Sequence, residues 1–434
     1  MRHYSLWGIV AALLFISRAG FSLGFSISGG TVTLADAAKL STVSDLAIHS
    51  GSLAVHNSQI AVGGSWMNSG GSFLPGTSTV TLNSSASGKT ITSNGSSFYN
   101  LYFNGSGGYW TLQDSMTVLS TMTLTAGTLD TNSGGGYPMS VSGGWLNNGG
   151  NFTVNGSTLT LTGNSAQVVR NAGQPFAVIV DSNSSSDGVV FASSFTATGL
   201  TINSAGLAKP TTAYFNAGST YTIAGLTLIG SSGKMVWMRS TSDNQAWYLH
   251  NSTNNVAYVD VKDSNANGGT TIAAGARSID SGNNPNWTFL ILSISLSTHS
   301  YDYGAVAMSS VAVSTTAITV MNTGNDTETY GLSIATSGPT TVWSVGASTP
   351  TSYNTFVMFA GFNSVMPSSN TFTAQDVLTK TGAASTTGIY AMDQTGVSVP
   401  AGNDRQLWLR LDMPPKTSTV KPQQMDLTIM ATNP

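Results

Sequence analysis

The chain has 434 residues, of which 8% are charged, 40% are hydrophobic, 48 are glycine and none is cysteine. This composition excludes disorder driven by charge, and the lack of cysteine excludes disulfide bonds and thiolate metal sites. The formal net charge of −3, together with the lack of a basic patch, also argues against nucleic-acid binding.

The first predicted element is an export signal. The start is weakly positive at Arg2, residues 6–16 are apolar, and Ser17-Arg18-Ala19 offers small residues at a cleavage site. We therefore predict a signal peptide over residues 1–19 and a secreted or cell-surface location. A retained membrane anchor is the alternative, although the apolar run is short for a membrane span. No later segment is expected to cross a membrane.

Residues 20–290 are predicted to form a β-solenoid, a stack of coils joined by parallel strands. Short strands alternate in, out, in between corners of Gly, Asn and Ser, residue types that tolerate the positive φ of a sharp bend. Six such strands are Val80-Thr81-Leu82, Met122-Thr123-Leu124, Leu159-Thr160-Leu161, Leu200-Thr201-Ile202, Leu226-Thr227-Leu228 and Val259-Asp260-Val261. Coils of about 20–25 residues would give roughly ten turns. A large antiparallel sandwich or a propeller with polar turns is the alternative.

An internal repeat supports stacking. The segment from Gly64 to Phe73 returns from Gly144 to Phe152, and Trp66 in the first copy corresponds to Trp145 in the second. A repeated unit leaves its apolar face open until a neighbouring unit covers it, which favours an elongated stack.

Residues 291–434 are predicted to form a separate all-β domain. Their alternating runs are longer and less regular, which suits an immunoglobulin-like β-sandwich. In the strand over 407–411 the three leucines are expected to face the core, leaving Trp408 and Arg410 on the other face.

Parts of the sequence resemble known protein classes. The Gly-Gly-x-Trp-x-Asn-x-Gly pattern at 63–70, its partner at 143–149 and the polar segment at 280–287 resemble the β-helical regions of large bacterial surface and secreted proteins. The segment at 322–330 and the run at 407–412 resemble the immunoglobulin-like modules appended to such proteins. The resemblance implies a right-handed parallel β-helix followed by an immunoglobulin-like domain.

One cluster of oxygen ligands is a candidate calcium site. It consists of Asp260, Asp263, Asn265 and Asn267, and its spacing imitates the first half of a calcium loop. Ala274 stands where a bidentate acid should close the loop, so a polar turn is the alternative. No other cofactor is expected.

Three tryptophans are candidate ligand-binding residues. Trp66, Trp145 and Trp408 would stack on sugar rings if their indole faces pointed outward. Burial of these rings in the core is the alternative.

Four acids with nearby bases are the candidates for catalysis. Polysaccharide lyases and hydrolases often use parallel β-helices and need carboxylates with Arg or Lys on one exposed face. The available residues are Asp114, Asp130, Asp181 and Asp187, with Arg170 and Lys89. None lies in a catalytic motif, so we predict that these are solvated acids at corners and that the chain has no catalytic residue.

Together these features predict a non-enzymatic, secreted or cell-surface structural or adhesive protein. Its partners would be surface glycans or other surface proteins, and self-assembly is a further option. A carbohydrate-binding protein with exposed aromatics and a polysaccharide lyase or hydrolase are the two alternative functions.

Overall fold

A computed structural model describes residues 24–275, 277–349 and 351–433. The predicted signal peptide at 1–19 lies outside the described residues. The chain divides into two compact units, of which the first ends at Phe289 and the second begins at Leu290. Apart from two short 3-10 segments, the regular structure within the described ranges is all β.

The first unit consists of short strands linked by tight corners. Its strands are β1 (Phe25–Thr33), β2 (Lys39–Thr42), β3 (Leu46–Ala54), β4 (Gln59–Val62), β5 (Trp66–Asn68), β6 (Ser72–Leu74), β7 (Thr79–Leu82), β8 (Lys89–Thr92), β9 (Asn100–Leu112), β10 (Met116–Val118), β11 (Met122–Asp130), β12 (Met139–Val141), β13 (Trp145–Asn147), β14 (Asn151–Thr153), β15 (Thr158–Leu161), β16 (Gln167–Arg170), β17 (Phe176–Asp181), β18 (Val189–Phe191), β19 (Phe195–Asn203), β20 (Thr211–Phe215), β21 (Thr220–Ile229), β22 (Val236–Ser240), β23 (Trp247–Ala257), β24 (Val259–Val261), β25 (Ser264–Asn265), β26 (Ile272–Ala274), β27 (Ile279–Asp280) and β28 (Trp287–Phe289).

These strands stack in parallel as a β-solenoid of about 12 turns. All ladders between the named strands of this unit are parallel, which contradicts the alternative of an antiparallel sandwich or propeller. The solenoid has more turns than the roughly ten that we expected. Several turns contain about 20 residues or fewer, which is the short end of the expected range of about 20–25 or below it. Leu40 pairs with Ile60 in one such turn, and Ile272 pairs with Trp287 in a shorter one.

The strands fall mainly into two sheets of the solenoid. The larger sheet contains 18 described strands, and the smaller sheet contains eight, β10, β12, β15, β17, β19, β21, β23 and β25. Inward residues of successive turns lie directly against one another, as along the ladder Leu40, Ile60, Val80, Leu101, Met122, Trp145, Val169, Phe191 and Phe215. Full burial of one such side chain contributes about 1.5–3 kcal/mol, so the stacked interior is the main source of stability.

The second unit contains two sheets around a core of its own. Its strands are β29 (Ile294–Leu296), β30 (Val311–Val313), β31 (Ile318–Asn322), β32 (Thr329–Ser337), β33 (Ser344–Val345), β34 (Thr355–Phe362), β35 (Ala383–Ala384), β36 (Asp404–Asp412) and β37 (Gln424–Thr432), with 3-10 segments at Ser369–Thr371 and Ala374–Asp376. Central strand β36 pairs antiparallel with β30, β31 and β34, and β32 pairs antiparallel with β35 and β37.

Residues from both sheets form one buried cluster in the second unit, including Val320, Leu332, Phe356 and Leu407. The prediction of an all-β chain with a solenoid is therefore confirmed, whereas the immunoglobulin-like assignment stays a prediction. The described residues include no helix long and apolar enough to cross a membrane.

Candidate functional site

The internal repeat forms two matching aromatic clusters. Trp66 meets Phe73 and Phe98 edge to face, with ring centroids 4.7 and 5.0 Å away. Trp145 meets Phe152 and Phe176 in the same way at 4.9 and 5.7 Å. Edge-to-face contacts of this kind add to the stability gained from burial alone.

The repeated asparagines stabilise the corner that follows each tryptophan. The Asn68 carboxamide is fully buried, accepts the Gly71 amide at 3.0 Å and donates to the Ser93 carbonyl at 3.1 Å. Asn147 is buried too; it accepts the Gly149 amide and donates to the Gly150 carbonyl, each at 3.0 Å. The shared sequence pattern therefore specifies an aromatic cluster in the interior and the corner that follows it.

This placement corrects the prediction that Trp66 and Trp145 present their rings to a ligand. Both side chains are 0% exposed because their strands alternate around an interior that the next turn covers. A sugar ring has no access to either indole face, and burial in the core is what the structure shows.

Trp408 is buried as well. The leucines of β36 face the main core as expected, and Trp408 lies on the opposite face. That face is not open, because Phe372 and Val377 cover it, and the Trp408 indole donates to the Asn363 carbonyl at 2.9 Å. The ring is only 7% exposed, so its assignment as a sugar platform also needs correction.

Asp260, Asp263 and Asn265 each have hydrogen-bond partners of their own, and the described residues contain no group of three or more His, Cys, Asp or Glu that could hold a metal ion. Asp260 forms an ion pair with Arg239, with Nη2 and Oδ2 2.9 Å apart, and accepts the Ser281 hydroxyl. The buried Asp263 carboxylate instead accepts the Asn244 amide and the Asn283 side chain. Asn265 accepts the amide of Asn267, which closes a local turn. Calcium binding here stays an untested prediction, and the described contacts are those of a polar turn.

The candidate catalytic acids take part mostly in structural hydrogen bonds. Asp114 accepts the backbone amides of Ser93 and Asn94, one turn earlier. Asp130 accepts the Tyr109 hydroxyl and the Asn155 side chain. Each of these two carboxylates thus links neighbouring turns of the solenoid.

Three further candidates, of which Asp187 and Arg170 are exposed and Lys89 is half-buried, are spread over different strands and corners. Asp187 is an exposed residue of the corner before β18, Lys89 begins β8, and Arg170 ends β16. Within the part of the chain that the structure describes, none of the three forms an ion pair.

The Asp181 carboxyl group is buried in the interior of the solenoid, which the sequence did not reveal. It occupies an inward position on the ladder Val118, Val141, Leu161, Asp181, Ile202, Leu228 and Val256. The residue is 2% exposed, Oδ1 accepts the Asn183 amide at 2.9 Å, and Oδ2 has no hydrogen-bond partner among the described residues. Burial raises the pKa of this carboxyl to about 7, because the charged form would lose its hydration.

An exposed aromatic residue, Trp237, lies on the outer face of the larger sheet. Trp237 is 41% exposed and pairs in register with Thr212 on one side and Asp260 on the other. Arg239 follows on the same face, with its guanidinium carbon 5.9 Å from the indole centroid. The in, out, in pattern of Val236, Trp237 and Met238 was the signal that could have identified this ring.

A shallow groove lies elsewhere on the larger sheet. It has a volume of about 370 Å³ and is lined by residues of four successive turns, including Lys39, Gln59, Thr81 and Tyr102. Two small residues, Ser41 and Ala61, also line it.

Comparison with known proteins gives no relative to argue from. No protein-family model matches the sequence, and no curated protein or solved structure is significantly similar to it.

Proposed function

We propose that the chain is an exported, non-enzymatic structural or adhesive protein in which the β-solenoid presents a second, immunoglobulin-like unit at a surface. The observation that carries the proposal is the continuous stack of about 12 parallel turns. Such a stack is built from contacts between neighbouring turns, and solenoids of this kind commonly provide extended binding or spacing surfaces.

The use of polar groups supports a structural role. The buried asparagines Asn68 and Asn147 bind backbone groups at corners, and Asp114 and Asp130 join adjacent turns. A catalytic cleft would instead need acids and bases from different turns around one open point. The N-terminal sequence pattern is the reason for proposing export.

A direct test measures both the degradation of polysaccharides by the chain and its adhesion to surfaces. The mature chain is incubated with a panel of plant, animal and microbial polysaccharides, and new reducing ends and unsaturated products are measured. The same chain, coupled to beads, is tested for retention on cell and matrix surfaces, with beads carrying heat-unfolded chain as the control. We expect retention without turnover.

Turnover of any polysaccharide would favour the lyase or hydrolase alternative and contradict the proposal. Export is tested separately with antibodies against the purified chain. They should label intact source cells or detect the chain in the medium, and an exclusively internal signal would contradict export.

A further inference from the structure

The outer face around Trp237 combines an exposed ring with an adjacent charged pair. The set comprises Tyr214, Trp237, Arg239, Asp260 and Ile279, here called the Trp237 platform. Register places Trp237 beside Asp260, Asp260 beside Ile279, and Tyr214 beside Arg239. Neighbouring strands lie about 4.8 Å apart, so the platform spans the width of a few sugar units.

The platform exposes apolar surface that the first unit itself leaves uncovered. Trp237 is 41% exposed and Ile279 is 47% exposed. Among the described residues the Trp237 indole nitrogen has no hydrogen-bond partner. Exposed apolar groups close to fixed polar groups are typical of ligand-binding surfaces.

Arg239 and Asp260 are held in place before any ligand binds. The two side chains form an ion pair at 2.9 Å, and Arg239 Nη1 also donates to the carbonyls of Asp260 and Met238 at 2.6 and 3.0 Å. The intervening inward residues, Val236, Met238, Val259 and Val261, are 0% exposed, so the platform rests on packed strands. A site on rigid strands loses little conformational entropy when it binds.

The charges near the platform favour a neutral ligand. Arg239 pairs with Asp260 and the adjacent Lys262 pairs with Asp243, while the carboxylates of Asp263 and Asp280 lie nearby, so this surface carries no excess positive charge. A nucleic acid or an anionic polymer would require excess positive charge. A neutral sugar needs an apolar face for its C–H bonds and paired donors and acceptors for its hydroxyls, and this platform offers both.

We propose that the Trp237 platform binds a neutral polysaccharide, with a sugar ring stacked on the Trp237 indole and its hydroxyls bonded to Arg239 and Asp260. The proposal rests on the adhesive function and deepens it by naming a ligand class. The test below can fail while the structural role of the solenoid stands, because that role needs no glycan.

The experiment measures binding of the mature chain to an array of neutral and anionic glycans, followed by titration with the best neutral oligosaccharide. Trp237→Ala is compared with Tyr248→Ala, since Tyr248 is 39% exposed but lies on the smaller sheet. Circular dichroism and thermal melting of both variants establish that the fold is kept. We expect Trp237→Ala to weaken binding on the order of tenfold and Tyr248→Ala to leave it unchanged.

Asp260→Asn is expected to weaken binding as well, because it removes the partner that orients Arg239.

The proposal is overturned by failure to bind any neutral glycan, by preference for anionic glycans, or by binding that survives Trp237→Ala. Loss of binding in Tyr102→Ala with retention in Trp237→Ala would place the site in the other groove and also overturn it. A change in self-association alone on Trp237→Ala would overturn it too, by assigning the platform to contacts between copies of the chain.

Discussion

At the scale of single residues, burial rather than residue type decides what an aromatic side chain does. Trp145 and Trp237 belong to the same larger sheet, but one is 0% and the other 41% exposed. A one-residue change in alternation moves a side chain from the interior to the surface of a strand. Tryptophan content alone therefore could not locate a ligand site.

Substitution of these two residues by alanine should have very different effects on stability. Trp145→Ala removes the centre of an aromatic cluster and leaves a cavity, so we expect it to destabilise the solenoid by about 3–5 kcal/mol. Trp237→Ala removes an exposed ring and should change the free energy of unfolding by about 1 kcal/mol or less. Urea unfolding followed by circular dichroism measures both, and equal losses would argue against the inward placement of Trp145.

Asp181 makes the stability of the solenoid depend on pH. Its pKa is about 7 in the folded chain, against 3.8 for an unperturbed carboxyl. Below about pH 4 both states hold the proton and the full stability is present. As the pH rises through this window the unfolded chain releases a proton that the folded chain keeps, so the free energy of unfolding falls until about pH 7.

Asp181→Asn should remove this dependence and stabilise the protein at neutral pH. The amide oxygen can still accept the Asn183 amide, and no charge needs to be buried. The difference between variant and native chain should grow by up to about 1.4 kcal/mol per pH unit between pH 4 and 7. Asp243→Asn is the control at an exposed side chain, and parallel pH profiles for native chain and Asp181→Asn would contradict the account.

At the scale of elements, the corners of the solenoid limit which residues can occupy them. Gly188 has φ +61°, and a Cβ atom there would lie 1.7 Å from the Thr212 carbonyl oxygen of the next turn. Gly88 has φ +73°, but a Cβ atom would meet nothing within 4 Å. A comparison of the two positions therefore separates the energetic cost of a left-handed backbone conformation from the cost of a steric clash between neighbouring turns.

Alanine at each glycine provides a matched test of turn stacking. Gly88→Ala should lose about 1 kcal/mol, the cost of a left-handed residue with a side chain. Gly188→Ala should lose about 3 kcal/mol or more, because backbone of the adjacent turn must move as well. Thermal unfolding compares the two, and similar shifts in melting temperature would contradict close stacking at this corner.

Much of the solenoid was predictable because its signal is local. Strands such as Leu159-Thr160-Leu161 show the expected in, out, in burial, and the repeat of Trp66 at Trp145 reproduces a whole cluster. Residues brought together from distant parts of the chain were not predictable. The cover over Trp408 comes from residues near 372, and the ion pair of Asp260 comes from Arg239 one turn earlier. Nothing in the local sequence specifies either contact.

At the scale of the whole molecule, the two units differ in how far apart in the sequence their paired strands lie. In the first unit each turn pairs with the turns next to it in the sequence, as Leu226 pairs with Asn254 and Ile272 with Trp287. In the second, β32 pairs with β37 across the length of the unit. A stack of this kind can be lengthened by adding turns, which is why we propose a spacing role for the solenoid.

Parallel stacking of successive turns is tested most directly by distances between spin labels. The chain has no cysteine, so labels can be attached to Ser41→Cys, Thr81→Cys and Arg170→Cys without other changes. These outward positions lie on one ladder, with Thr81 four steps and Ser41 six steps from Arg170.

At about 4.8 Å per step, pulsed electron paramagnetic resonance should give about 19 Å for the Thr81 and Arg170 pair and about 29 Å for the Ser41 and Arg170 pair, apart from the label arms. Distances that increase with the number of steps would support the parallel stack. Equal distances, or a shorter distance for the Ser41 pair, would contradict it.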